Sequence, residues 1–462
     1  MTPKQVGGAS AVQLQRKIGL WTATAIVAAN MIGTGVFTSL GFQIIDIKDG
    51  FSIGFLWLLG GIAALCGALA YGELGAAMPR SGGEYHFLSK IFHPAVGFLS
   101  GWVSALVGFS APTAAAAMAL ARYATQTLIA SGVLTPGNDA VLITAMVIGV
   151  VTVISIIHSM QIQLVSRFQV FFTGLKISLI LIFVFAGFAL AKSQGVNFLP
   201  GSESVKFVFS APFAVSLVFV MYAYSGWNAA TYVVNEIEDP GKNLPRSLFL
   251  GTLIVTLLYV PLNLVFLYSS PMSALEGKPE VGFIAANYIF GSVGAIFMGA
   301  LISLGLVSAI SSMTWAGPRV SQVMGEDYKL LGFLKTKNKN GVPIYALILQ
   351  YVIVIILVLS SKFEQIITYI GFILSLSTFL TVFGVFVLRW KNPGLARPYR
   401  TWGYPVTPII FLLVTGWMLV FVLRDKPAES LAGLATVFVG LVFYFIDKKA
   451  VKPRASSVTR HL

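Results

Sequence analysis

The sequence predicts an all-α integral membrane protein of about twelve transmembrane helices, and three observations carry that prediction. The 31 Lys and Arg and 17 Asp and Glu make up only 10% of the 462 residues, whereas a soluble chain carries roughly 25% because its surface must be solvated. Hydrophobic residues reach 56% and the mean hydropathy is +0.84. Apolar runs occupy residues 19–45, 51–77, 95–130, 139–158, 167–192, 209–235, 246–269, 282–316, 343–361, 364–388, 405–423 and 430–446, each near or above the roughly 20 residues a helix needs to cross the hydrocarbon. Twelve spans of about 22 residues use roughly 260 residues, and the rest is split among the ends and short loops, the longest soluble stretch being around 325–342, so no large soluble domain is expected.

The first run follows the polar residues 1–18, which end in Arg16-Lys17; the run is too long for a signal peptide, and further spans follow. Its centre, Ile32-Gly33-Thr34-Gly35-Val36-Phe37, holds two glycines that together cost about 2 kcal/mol of helix propensity relative to alanine, so the helix is expected to break there. The second run carries Cys66, the sole cysteine, which forms no disulfide within the chain and reads as a small core hydrophobe. The third and eighth runs, about 35 residues each, would reach roughly 50 Å as straight helices and must tilt or project from the bilayer. In the third, Ala114-Ala115-Ala116-Ala117 allows close helix approach, since packing drives association in lipid. The fifth carries Lys176, the only Lys or Arg well inside a run. The sixth contains Tyr222-Ala223-Tyr224-Ser225-Gly226-Trp227-Asn228, a second glycine-bearing interruption about 190 residues after the first. Matched interruptions suggest an inverted repeat. Residues 19–192 and 209–388 are then two five-helix halves, and 405–446 supplies the last two helices.

With both termini placed in the cytoplasm, 22 Lys and Arg fall on inner segments and eight outside, the remaining one of the 31 being Lys176. Inner loops of membrane proteins carry such an excess, so residues 1–18 and 447–462 are expected to be cytoplasmic segments. The net charge of +14 therefore belongs to the ends of apolar runs, not to a basic patch for nucleic acid. His86, His93, His158 and His461 have no ligand partners at metal-binding spacing, and neither a metal nor a cofactor is expected. No grouping of catalytic side chains predicts an enzyme, and no charge ring or pore repeat predicts a channel. Glu73, Glu84 and Glu236 lie near cytoplasmic ends and are expected to pair with Arg80, Lys90 and Arg246. Trp102, Trp315 and Trp402 read as interfacial anchors.

Backbone groups freed inside a membrane cost several kcal/mol each unless something satisfies them, so two breaks at matching depth point to a ligand. A zwitterion suits them: half-helix N-termini present N–H groups to a carboxylate, and carbonyls of the opposing break accept from an ammonium. A lone Gly-x-Gly would be read as a packing notch; the pair, flanked by Tyr222, Tyr224 and Trp227, favours a site. A lone ammonium such as Lys176 costs about 2.5–3.5 kcal/mol in the bilayer. It either snorkels to the cytoplasmic interface or is tied to backbone carbonyls of spans one and eight, where it could exchange a proton.

At these residues the sequence resembles the amino acid–polyamine–organocation (APC) superfamily, and within it the LAT-like amino acid permeases of LeuT-type fold. The resemblance covers nearly the whole chain and is carried by Asn30-Met31-Ile32-Gly33-Thr34-Gly35-Val36-Phe37, Tyr71-Gly72-Glu73-Leu74, Met78-Pro79-Arg80-Ser81-Gly82-Gly83-Glu84-Tyr85, Gly101-Trp102, the 222–228 segment, Asn235-Glu236-Ile237-Glu238-Asp239-Pro240 and Asn243-Leu244-Pro245-Arg246. It implies that Ile32, Gly33, Thr34 and Gly35 bind the substrate carboxylate, and that Tyr222, Ala223, Tyr224 and Ser225, with Gly226 and Trp227 beside them, bind the α-amino group. Tyr222 stands where relatives often have a phenylalanine gate. Lys176 matches a lysine that replaces sodium in many members, with Ser308 or Ser311 of span eight either facing it or bonding their own helix. The usual Asp-Gly after span eight is Glu326-Asp327-Tyr328 here, which bears on the inner loop. Asn30 and Asn228 either touch substrate or hold a broken turn.

No acidic residue lies mid-span, so a cationic substrate side chain has no counter-charge, and a neutral L-amino acid is the expected substrate. The expected function is secondary active transport across the plasma membrane by alternating access, sodium-independent and proton-coupled, with the lipid bilayer and protons as partners besides the substrate. The alternatives are an obligate exchanger of amino acids or of an amino acid for an amine, and more remotely a transporter-like sensor. The resemblance raises a partner glycoprotein, but no cysteine lies on an outer segment to link one, and no partner subunit is evident.

Overall fold

The computed structural model describes residues 18–135, 137, 140–160 and 165–448. Residues 1–17 of the expected N-terminal segment, with Lys4, Arg16 and Lys17, and most of the expected tail, with Lys449, Lys452, Arg454, Arg460 and His461, lie outside the described residues. Among those described the architecture is all helical, and the only extended pairings are isolated bridges, Ile18 with Ile237 and Lys337 with Pro343.

Among the described residues ten helices are long and apolar enough to cross a membrane, and Leu20–Met31 with Gly35–Asp46, bent by 40°, make an eleventh span. The shorter apolar helix Ile344–Ser360, of 17 residues, stands at the ninth run and completes the expected set. In chain order the spans are this bent pair, Gly50–Ala77, Pro94–Ala130, Ala140–Met160, Val165–Leu190, Ala211–Glu236, Pro240–Ser269, Val281–Asp327, Ile344–Ser360, Phe363–Lys391, Val406–Asp425 and Pro427–Lys448. The most apolar stretch of the sixth span is 83% buried and that of the fourth only 17%. The sixth therefore lies at the centre of the bundle and the fourth on its periphery, facing lipid.

The long third and eighth spans are accommodated by local irregularity as well as length. The third contains a π-helical turn at Ser104–Gly108, a form that widens the helix and recurs at functional sites. The eighth bends where Gly291 takes φ 73° and then continues past its predicted end to Asp327, 47 residues in all. A helix absent from the sequence-based expectation, Gly83–Ile91, follows the second span and buries Glu84, Phe87, Leu88 and Ile91. Their spacing is that of one helical face, and this helix packs on spans three and ten.

The expected ion pairs differ from those that form. Glu73, fully buried, accepts from Arg389 Nε at 2.9 Å and Nη2 at 2.6 Å, and from Thr401 N at 2.8 Å and Oγ1 at 2.7 Å, with Arg397 at 3.3 Å. The basic partners come from span ten and the loop after it, some 320 residues away, where sequence proximity gave no hint of them. Arg80 approaches Asp327 at 4.0 Å, and Glu84 and Glu236 form no ion pair among the described residues. Trp102 is a core residue rather than an anchor: it stacks on Phe443 and its indole donates to Thr436 O of span twelve at 3.1 Å.

Candidate functional site

The first span breaks where the two glycines predicted. Leu20–Met31 ends, Ile32 leaves the helical region at φ −75°, ψ 85°, and a new helix begins at Gly35. The last carbonyls of one half-helix and the first amides of the next thus meet in mid-bundle, where the regular helical ladder is interrupted and only local turns such as Ile32 N to Ala28 O and Phe37 N to Thr34 O remain.

The carbonyl end is satisfied from neighbouring spans. Lys176 Nζ donates to Ile32 O at 2.6 Å and to Ala29 O at 3.5 Å, and Tyr259 Oη of span seven donates to Met31 O at 2.7 Å. A cation at the C-terminal end of a helix also complements the helix dipole. Lys176 is 5% exposed, so it is held inside the bundle and does not snorkel. Span eight contributes packing: a Cβ on Gly305 would lie 3.2 Å from the Lys176 Cγ. Beside the ammonium lies a cavity of about 10 Å³ lined by Gly33, Phe37, Leu179 and Gly305 among others, at the lower limit for one water.

The amide end of the break packs against span six. Thr34 Oγ1 and Tyr222 Oη share a hydrogen bond of 2.7 Å. A Cβ on Gly35 would stand 2.4 Å from Ala223 Cα, so only glycine permits this backbone approach. Gly33 is different, since a Cβ there would meet nothing nearer than Met31 O at 3.9 Å. Its amide donates to that same carbonyl at 2.8 Å.

Span six remains helical through Tyr224, so the interruption is Ser225–Asn228, shorter than the segment singled out in the sequence. Ser225 is extended at ψ 150° and its amide returns to Tyr222 O at 3.0 Å. Gly226 takes φ 98° with Asn30 carbonyl atoms 2.9 Å from where a Cβ would be, so strain and space both demand glycine. Asn30 itself donates to Ile26 O at 2.8 Å, holding its own helix. A 3₁₀ segment, Ala229–Glu236, continues the span.

Two of the aromatic residues point away from the breaks. Tyr224 Oη donates to Trp57 O at 3.2 Å, and Trp227 packs edge-on against Tyr71 with centroids 4.6 Å apart. Ser308 is fully buried, and Ser311 shares a 2.8 Å hydrogen bond with His158 Nε2 of span four. Ser311 thus faces span four.

Sequence reasoning missed the group that serves the second break. Glu84, 4% exposed, accepts at Oε1 from Asn228 Nδ2 at 2.9 Å and from Tyr71 Oη at 2.7 Å, and at Oε2 from Ser377 Oγ at 2.7 Å. The available signal was the buried face of Gly83–Ile91, on which Glu84 is the one carboxylate. Among the described residues no group of His, Cys, Asp and Glu could hold a metal ion.

A profile described as "Amino acid permease" matches residues 18–444. The chain is 29% identical over 452 residues to the human protein named large neutral amino acids transporter small subunit 2, across 96% of this chain and 83% of that one. It is 27% identical to the mouse Asc-type amino acid transporter 1, across 94% and 82% of the two chains. Against the mouse b(0,+)-type amino acid transporter 1 the identity is 26%, across 94% and 88%.

Proposed function

The chain belongs to the amino acid permease family and transports amino acids, and from that premise we propose that it is a sodium-independent, proton-coupled carrier of neutral L-amino acids in the plasma membrane. The observation that carries this reading is the abutment of the first break, at Gly35, on Ala223 in the last turn of the half-helix that leads into the second break, with Lys176 on the carbonyls of the first. Amides that open the half-helix at Gly35 suit the substrate carboxylate, and the carbonyls that close the half-helix at Tyr224 suit its ammonium. Ile32, Gly33 and Thr34 complete the carboxylate side; Tyr222, Ala223, Ser225 and Gly226 complete the amino side.

A neutral side chain is favoured because neither break contains an acidic or basic residue and the nearby Glu84 carboxylate is already engaged by three donors. Sodium independence is favoured because an ammonium already occupies the carbonyls of Ala29 and Ile32. We assign residues 19–192 and 209–388 to two inverted halves, with spans one, two, six and seven rocking against the rest around this site and both termini cytoplasmic on the positive-inside count. Cys66, the sole cysteine, is buried in span two, which argues against a partner joined by an outer disulfide.

The test is uptake of labelled neutral amino acids into proteoliposomes, either empty under an inward proton gradient or preloaded without one. Accumulation in empty vesicles is expected. Uptake confined to preloaded vesicles would make the protein an obligate exchanger with Lys176 as a strut, and binding without uptake would make it a sensor.

A further inference from the structure

Glu84 is a buried carboxylate that no cation neutralises among the described residues. An ionised group so placed is costly unless paired or fully hydrogen-bonded. The elements packed around it are spans two, three and ten and the 3₁₀ segment of span six. The titratable groups they turn toward it are Tyr71 and Tyr232. Of the charged groups on spans two and ten, Glu73 pairs with Arg389, Glu364 pairs with Lys426, and Lys391 donates to Ile91 O at the far end of Glu84's own helix. On its own helix, burial together with Arg80 and Lys90 pushes His86 down to about 4, so His86 stays neutral at ordinary pH.

We propose that Glu84 is a proton-binding positioning residue that latches the second break, through Asn228, to spans two, three and ten and releases it when the carboxyl ionises. The hydrogen bonds are complete in both states. Ionised, Oε2 accepts from Ser377 Oγ. Protonated by a hydronium ion from the inner side, which leaves as water, Oε2 instead donates to Ser377 Oγ. The Ser377 proton then turns to Ser100 Oγ, 3.1 Å away. Oε1 accepts from Tyr71 and Asn228 throughout.

Burial raises the Glu84 carboxyl above the ordinary carboxylate range, against the lowering effect of its Tyr71, Ser377, Asn228 and Ser100 partners. A group whose value is higher latched than solvated favours the latched form as pH falls through the raised value, and unlatching as pH rises above it. This deepens the proton-coupled reading above and rests on it for the sense of coupling, whereas the latch itself can be read without transport.

The full chain in lipid, without substrate, is titrated by infrared difference spectroscopy, comparing wild type with Glu84→Gln. Glutamine mimics the neutral acid: its carbonyl accepts from Tyr71 and Asn228, and its amide donates to Ser377. The expected result is a protonated-carboxyl band, absent from E84Q, that titrates above the ordinary carboxylate range. The second arm is exchange of labelled L-leucine at equal pH on both sides. Wild-type exchange should rise at least tenfold from acid to neutral pH, and E84Q should stay slow with a flat profile. Ser377→Ala, which removes a donor that favours the ionised carboxylate, should move the wild-type midpoint toward alkaline pH. The proposal is overturned if E84Q keeps the band, or keeps the wild-type pH midpoint, or if S377A leaves that midpoint in place. Failure of gradient-driven accumulation with the band intact would sink the symport reading alone.

Discussion

The two breaks are held by groups of opposite kind, one by a base and one by an acid. At the first, a half-helix ends and its carbonyls at Ala29, Met31 and Ile32 are held by Lys176 and the Tyr259 hydroxyl. At the second, Asn228 stands at the N-terminal edge of a 3₁₀ segment and is held by the Glu84 carboxylate. The first break takes a cation that complements its helix dipole and the second a carboxyl that accepts from Asn228, while the opposite end of each faces the other break. The difference teaches where plasticity lies. The first break is locked by donors on neighbouring spans, whereas the second is fastened through a side chain on a short helix outside the spans.

The largest expected effect tests the contact between the first break and the half-helix that ends at the second. Gly35→Val drives a side chain into the Ala223 backbone, 2.4 Å from the Cβ position. Overpacking of this kind costs about 1–3 kcal/mol or more, so folded yield should collapse on size-exclusion chromatography. A monodisperse G35V protein with wild-type uptake would break the comparison. Next is Lys176→Met, which leaves the Ile32 carbonyl without its 2.6 Å donor; an unsatisfied buried acceptor costs about 1–3 kcal/mol. Uptake should fall about tenfold or more, and full activity with an unchanged pH profile would remove Lys176 from the mechanism.

Gly33→Ala sharpens the contrast with Gly35, because there is room for its Cβ. The protein should fold normally and lose substrate affinity by about tenfold, or roughly 1.4 kcal/mol, measured by equilibrium binding; unchanged affinity would move the carboxylate away from this turn. The smallest effect belongs to Tyr222→Phe. It removes the shared hydrogen bond with Thr34, worth about 0.5–1.5 kcal/mol, and should change affinity about threefold while leaving folding intact.

The spans and the first break were legible in the sequence because apolar run length and the pair Gly33 and Gly35 are local signals. The exact edges of the second break were not. Tyr222, Ala223 and Tyr224 remain helical under the packing of span six at the bundle centre, and only Gly226, with its positive φ, marks the turn. The partners of Glu73 were also invisible, since Arg389 and Arg397 are brought to it by the fold and not by spacing. The role of Glu84 has no local signal, because its helix is short and its partners Asn228 and Ser377 lie 144 and 293 residues away in the chain. Long-range hydrogen bonds of this sort leave no period in a single sequence.

The central claim is that facing amides and carbonyls of the two breaks bind both ends of an amino acid. It is tested most directly by competition against bound labelled L-leucine with unlabelled L-leucine, its methyl ester and its N-acetyl derivative. Only the free amino acid should displace the label, because the ester removes the charge read by the first break and the acetyl group removes the charge read by the second. Displacement by either derivative as effectively as by L-leucine would contradict the account.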